Sequence, residues 1–347
     1  MTVEVLTTDA ALLALAPEWE ALWQALPARC PFTAPAWLLP WWRHFGTGQP
    51  RVATLRRGGR LAAVLPLYIL NEPAGRKLLP IGAGLSDYQD VLAGDGVDPS
   101  PLLAAVLARD DGLAVCDLIE VPPGSALHGT EAPPGWAMRW GAGSPCPVLA
   151  LPATMDGWAD VVPARTLRKL RMNRNRAERG GGTQRVRATP GTLPSLQGHL
   201  FRLHQGRWAA QGEPGVLADP AVSALHRDAA PGLLDAGVLR LEALLVDGTP
   251  AAAIMALLAP GRILFYLSGF DAAHAFISPG SLLLADMLDD AVREGRTEAH
   301  FLRGRESYKY AWGAKDRINS TCSLFPLPSG EGGGEGVSAG PDEPGQR

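Results

Sequence analysis

The chain has 347 residues, 46% of them apolar, and a formal net charge of −3. That is enough for about two domain cores, and it excludes nucleic-acid binding by bulk charge. No apolar run approaches the ~18 residues of a membrane span; the longest candidate, around residues 251–259, is bracketed by Asp247 and Arg262.

The first residues, MTVEVLTTDA, lack a basic start followed by an apolar run. No signal peptide is read there, and the chain is expected in the cytoplasm, with no membrane insertion. Residues 10–26 place Leu12, Leu13, Leu15, Trp19, Leu22, Trp23 and Leu26 near helical spacing. PFTAPAWLLPWWRHF follows as a second helix entered through Pro35. Residues 52–55 and 61–69 read as strands around the turn RGGR. Beyond Asp98 the first half is less legible, and PPGSALHGTEAPPGW reads as an irregular loop.

The second half repeats this order. Residues 193–209 are helical, VLADPAVSALHRDAA is a helix entered through Pro220, and strands 239–246 and 251–258 flank the turn DGTP. Residues 262–270 form a strand, and 281–294 an amphipathic helix ended by Gly295. Residues 298–302 form another strand, before a short helix. From Pro326 the sequence PLPSGEGGGEGVSAGPDEPGQR has no periodicity and reads as a disordered tail. Between the halves, from Arg165 to Arg187, stand nine basic residues and one acidic, Glu178. Such a run forms a solvated helix or binds an anionic partner. Cys30, Cys116, Cys146 and Cys322 are far apart and include no CxxC pair, so no metal site is expected.

The order of elements is α/β around a mixed sheet, and the motifs sharpen it. LHQGRW, GEPGVLADP, YLSGFD, SPG and FLRGRESYKYAWGA occur in order from Leu203 to Ala314; PFTAPAWLLPWW and LSDYQD occur in the first half. Together they resemble the CelD-type acetyltransferases of cellulose and exopolysaccharide biosynthesis. These are tandem proteins of the GNAT superfamily, related to the Fem aminoacyltransferases of peptidoglycan bridges. The resemblance implies tandem GNAT-like units, each a twisted mixed sheet flanked by helices, at 1–150 and 151–325, with the tail at 326–347. It also implies acetyl-CoA as co-substrate and no metal. Two positions depart from the family pattern: His300 and Arg305 stand where carboxylates are usual.

The resemblance implies that the cofactor lies at Ser278, Gly280 and Ser281, where a helix start offers free amides to a phosphate. The backbone at Ser268 and Gly269 would polarise the acyl carbonyl. The cluster after the last strand supplies the remaining candidates. Glu306 would act as general base and Tyr308 as acid to the leaving thiolate. Arg303, Lys309 and Trp312 would bind substrate. His204, Arg207 and Trp208 share a helix face at i, i+3 and i+4 and can line the acceptor cleft, though Trp208 suits the core and His204 an interior position equally. Ser86, Asp87, Tyr88 and Asp90 either face the cleft or cap a loop. His274 and His300 are further bases to consider.

The expected activity is acyl transfer, with acetyl as the expected acyl group, to an amine or hydroxyl of a saccharide-containing or cell-envelope acceptor. Two alternatives stay open. One is aminoacyl transfer from tRNA, which the basic segment favours. The other is a non-catalytic binding protein retaining the fold, which His300 and Arg305 favour.

Overall fold

The computed structural model describes residues 1–108, 112–210 and 212–328. The first half runs β1 (Thr2–Leu6), α1 (Asp9–Ala14), α2 (Ala16–Ala25), α3 (Pro35–Phe45), β2 (Gln49–Arg57), β3 (Arg60–Glu72), β4 (Gly75–Pro80), β5 (Leu92–Ala93), α4 (Ser100–Leu107), β6 (Leu113–Val121) and β7 (Trp136–Ala150). The second half runs α5 (Trp158–Val161), α6 (Ala164–Arg179), β8 (Gln184–Arg187), α7 (Leu193–Ala209), α8 (Pro220–Asp235), β9 (Leu239–Val246), β10 (Thr249–Ala259), β11 (Arg262–Phe270), α9 (Pro279–Arg293), β12 (Glu298–His300), α10 (Ser307–Ala311) and β13 (Lys315–Pro326).

The repeat read from the sequence is present in the fold. Both hairpins turn on two residues with positive φ, Gly58 and Gly59 in the first and Asp247 and Gly248 in the second. That geometry matches the twist of the flanking strands. Three boundaries differ from the sequence expectation. The helix expected over 10–26 is two, because the chain re-enters a helix through Pro17, whose nitrogen has no proton to give. The strand expected over 298–302 stops at His300, and Leu302 turns the chain at φ 60°. Where the tail was expected to begin, Phe325 and Pro326 still pair with Ala137 and Trp136, and the rest of that expected segment, residues 329–347, lies outside those described.

One sheet holds both halves, in the order β1-β2-β3-β4-β6-β13-β7-β12-β11-β10-β9-β8, with β5 beside β3. Each half lends its final strand to the other. β13 lies against β6, β7 lies against β12, and β7 and β13 pair with each other over residues 136–148 and 315–326. Side chains alternate across such a sheet, so each half has two buried faces. On one face, Trp19, Trp23 and Trp37 of the first half share a core with Leu200, Leu225 and Leu233 of the second. On the other face, α4 covers the first half's strands and α9 covers the second's, each over a core of its own.

In each half the fourth long strand runs parallel to the next. β4 meets β6 at Arg76–Leu78, and β11 meets β12 only over Arg262–Leu264. The two gaps that follow have different fates. In the first half residues 81–90 fill the gap and leave about 10 Å³ beside Ile81, Gln89 and Asp90. In the second half it opens into a cavity of about 530 Å³.

Burial pushes the Asp90 carboxyl up to about 7, against hydrogen bonds from Ser125 Oγ and the Val91 amide. A carboxyl raised in the fold supports stability below its unfolded value and loses that support as pH climbs through about 7. Asp90→Asn keeps the acceptor oxygen and removes the charge. In urea melts the variant should therefore exceed the parent at pH 8, with the gap closing toward pH 5. A constant gap across that range would show that Asp90 does not titrate there.

Candidate functional site

The cavity exists because β11 keeps going after β12 has turned away. From residue 265 to 270 the edge of β11 that faces β12 has no strand partner. A strand edge without a partner presents amide and carbonyl groups to whatever enters. Phe265, Leu267, Ser268, Gly269 and Phe270 form this wall, and Phe301, Leu302, Arg303, Glu306, Tyr308 and Lys309 form the opposite one. The start of α9, at Ser278, Pro279, Gly280 and Ser281, closes one end, while His204, Arg207, Trp208 and Val216 line the side nearest α7.

Twelve of the thirteen residues given a catalytic, substrate or cofactor role from the sequence line this space. Trp312 does not: its ring is buried in the core beneath α9, among groups such as Val162 and Phe301. Asp87 was left open by the sequence and does line the cavity. It reaches there from the first half, through the LSDYQD loop. Of its neighbours in that loop, Ser86 braces the first half and Tyr88 reaches across to the second. Ser86 Oγ accepts from Trp37 Nε1 at 2.9 Å, and the Tyr88 hydroxyl lies 2.8 Å from His300 Nδ1. His300, Arg305 and His274 are not among the lining residues. His300 is buried, with Nε2 at 2.9 Å from Glu298, and Arg305 pairs with Asp316 at 3.2 Å. The two departures from the family pattern thus lie off the cavity.

The charged groups divide by how their bonds are used. Arg303 pairs with Asp87 and donates to the Gly84 carbonyl at 2.8 Å, so its guanidinium fastens one half to the other. Burial raises the Asp87 carboxyl above its ordinary value even with Arg303 beside it. Lys309 Nζ donates to the carbonyls of Leu302 (3.2 Å), Arg303 (2.7 Å) and Gly304 (3.2 Å), and pairs with Glu306 at 2.9 Å. An ammonium has three protons, so these partners absorb all of them. Lys309 therefore holds the turn in which Leu302 adopts positive φ, a conformation costly for a branched side chain. Lys309 lines the cavity, where a substrate-binding role was expected, with its bonds spent on this turn. Glu306 gives Oε2 to Lys309 and keeps Oε1 without a protein partner among the described residues.

Arg207 is different. Its guanidinium lies 5.8 Å from the Trp208 ring centre and 5.4 Å from that of Phe270. Nη1 makes one long bond to Ser268 Oγ at 3.4 Å, and Nε is buried without a partner. No carboxylate lies within salt-bridge distance of it among the described residues, which makes it the cation here with donors to spare. His204 accepts from Trp208 Nε1 through Nε2 at 2.9 Å. Burial, with Arg207 second, holds it down at about 4, so it is neutral at physiological pH. Desolvation, with Glu306 second, pushes the Tyr308 hydroxyl up to about 12. Tyr308 is therefore a hydrogen-bond donor throughout the neutral range.

The start of α9 was expected to cradle phosphate. Pro279 has no amide proton, and the amides of Ser281 (2.9 Å) and Leu282 (3.2 Å) already bond the Ser278 carbonyl. That leaves the Gly280 amide and the Ser281 hydroxyl, with the Ser278 hydroxyl held only by a long 3.5 Å bond to the Ala275 carbonyl, at the positive end of a 15-residue helix. Together these donors suit one phosphate group. Gly269 has a packing duty as well: a Cβ there would overlap the backbone nitrogen of His204 where α7 crosses β11.

Residues 164–310 match the family model of the acetyltransferase (GNAT) domain. That segment contains α6 through most of α10, and with it nearly every residue that lines the cavity. Among solved structures, FemX is similar at a TM-score of 0.65 and 11% identity, covering 94% of this chain and 98% of that one. A conserved protein of unknown function from Bacteroides thetaiotaomicron is similar at 0.60 and 10%, covering 93% and 100%. The C-terminal domain (DUF2156) of a putative lysylphosphatidylglycerol synthetase from Agrobacterium fabrum is similar at 0.56 and 14%, covering 91% and 92%. At these identities the likeness is one of fold. No curated protein matches the sequence.

Replacing Gly269 with alanine forces α7 off β11. The expected cost is about 1–3 kcal/mol, seen as a lower urea midpoint with an unchanged slope. An unaltered midpoint would mean that α7 does not approach as closely as described.

Proposed function

We propose that the protein transfers an acyl group, acetyl in the simplest case, from an acyl-CoA thioester to an amine or hydroxyl of a saccharide-containing or cell-envelope acceptor. The observation that carries this reading is the unpaired edge of β11 beside the start of α9. The strand edge offers an amide to the acyl carbonyl, and the Gly280 amide with the Ser278 and Ser281 hydroxyls offers donors to a phosphate. The GNAT domain match over the same residues supports the class of reaction.

In this reading the acceptor attacks the thioester carbonyl directly, the carbon–sulfur bond breaks, and the acceptor's proton leaves to Glu306 Oε1 or to a water it holds. A developing oxyanion is stabilised by backbone donors that are already in place. The thiolate receives a hydrogen bond from Tyr308. Arg207 binds an anionic group of the substrates, since its partly desolvated charge has no counter-ion among the described residues.

The single free amide at α9 also favours a second reading, in which the donor is an ester carrying no diphosphate at that point, such as an aminoacyl-tRNA. Calorimetry separates the two. Acetyl-CoA should bind saturably in the micromolar range, and Arg207→Gln should weaken it or the acceptor about tenfold or more. A flat acetyl-CoA titration together with tight, salt-sensitive tRNA binding would replace the first reading by the second.

With amino- and hydroxy-sugar acceptors and a thiol-release assay, Glu306→Gln should lower kcat about a hundredfold. Unchanged turnover would move the base to Asp87.

A further inference from the structure

The nine cations between Arg165 and Arg187 are sorted by the fold. Arg174 reaches Asp286 (2.9 Å) and Asp289 (3.2 Å) on α9. Arg185 and Arg187 share Glu242 and Asp290. The other six have no carboxylate within salt-bridge distance among the described residues. All six, Arg165, Arg168, Lys169, Arg171, Arg176 and Arg179, are exposed on α6. At 3.6 residues per turn all but Arg171 fall within an arc of about 100°, and from first to last they extend about 21 Å along the axis. A neighbouring side of α6 buries Leu170, Asn173 and Ala177.

Two apolar side chains belong to the same surface. Met172 lies in the middle of the arc and is 51% exposed. Phe276, in the 3-10 turn Ala272–Ile277, is 61% exposed, and Arg176 Nη1 holds its carbonyl at 3.2 Å.

From this juxtaposition we infer that the outer face of α6, with Phe276, docks on the surface of an anionic lipid bilayer. A straight row of cations about 21 Å long meets a plane of headgroup charge without bending. Each cation near such a surface contributes a similar increment of attraction. Met172 and Phe276 then enter the headgroup boundary, as apolar residues beside basic ones do in interfacial helices. A polynucleotide would satisfy the cations but give Met172 nothing, and one exposed aromatic makes no stacking platform. The inference does not depend on the reaction proposed above. It has a geometric consequence for the cavity, because Ala275 of the same turn lines the end near α9.

The test is co-sedimentation of the full chain with vesicles of about 30% phosphatidylglycerol in phosphatidylcholine, and with phosphatidylcholine alone, at roughly 0.1 M salt. The protein should pellet with the anionic vesicles only, and less so as salt rises. Arg168→Gln with Lys169→Gln and Arg179→Gln should weaken binding roughly a hundredfold, about fivefold per cation. Met172→Ser with Phe276→Ser should weaken it several-fold while leaving its salt dependence in place. All five positions are exposed, and unchanged circular dichroism would confirm that the variants fold. Absence of binding to anionic vesicles overturns the inference. So does binding that survives the triple substitution, or binding of an RNA oligonucleotide through these side chains with no affinity for vesicles.

Discussion

The architecture depends on one pairing, that of β7 with β13. Two sheets of five strands would each end on an open parallel strand, β6 in one and β12 in the other. Exchange of the final strands covers both edges at once and joins the halves through main-chain hydrogen bonds along about a dozen residues. A long antiparallel ladder of this kind leaves little freedom in the angle between the halves. That rigidity lets a loop of the first half form part of a cavity in the second. Asp87 stands opposite Arg303 because the shared sheet puts it there.

The halves repeat the same elements yet differ in what their gaps do. Residues 81–90 plug the first gap with packed and hydrogen-bonded side chains, and the loop's far end reaches the second cavity. The first half has become a wall and a brace for the second. Around the cavity the charged residues follow the same division of labour. Arg303 and Lys309 spend their hydrogen bonds on holding the two walls, while Arg207, Tyr308 and Glu306 Oε1 retain capacity for a ligand. The positive φ at Ser278 and at Leu302 marks the two places where the backbone is bent to shape the space. Such strain persists only where surrounding contacts hold it.

Local signals carried much of this. The helix over 193–209 and the strands over 239–246 and 262–270 fall where periodicity put them, because their hydrophobic patterns report burial on known faces. The candidate residues also came together, since most sit on three short segments that close around one gap. What the sequence could not show was non-local. Nothing in residues 315–326 says that they pair with strands of the first half. Asp87 is 216 residues from its partner, and a polar loop reads alike whether it is capped or inserted. Lys309 and Arg303 look like ligands in sequence because both are cations near a probable cleft, and only the carbonyls around Lys309 decide its role. Trp312 follows the same segment, but its ring turns into the core. The basic segment read as one run of charge, whereas Asp286, Asp289 and Asp290 on α9 neutralise part of it and leave most of the rest on a single face.

The strand exchange also sets a timetable. During synthesis β6 is complete when residue 121 has emerged, yet its partner β13 is made about 200 residues later. At roughly 5–20 residues per second that delay is about 10–40 s. Over that interval the nascent first half carries an open strand edge, the kind of surface that seeks another chain. Of the strands described, β13 is the last to be made, and it is the one that covers this edge.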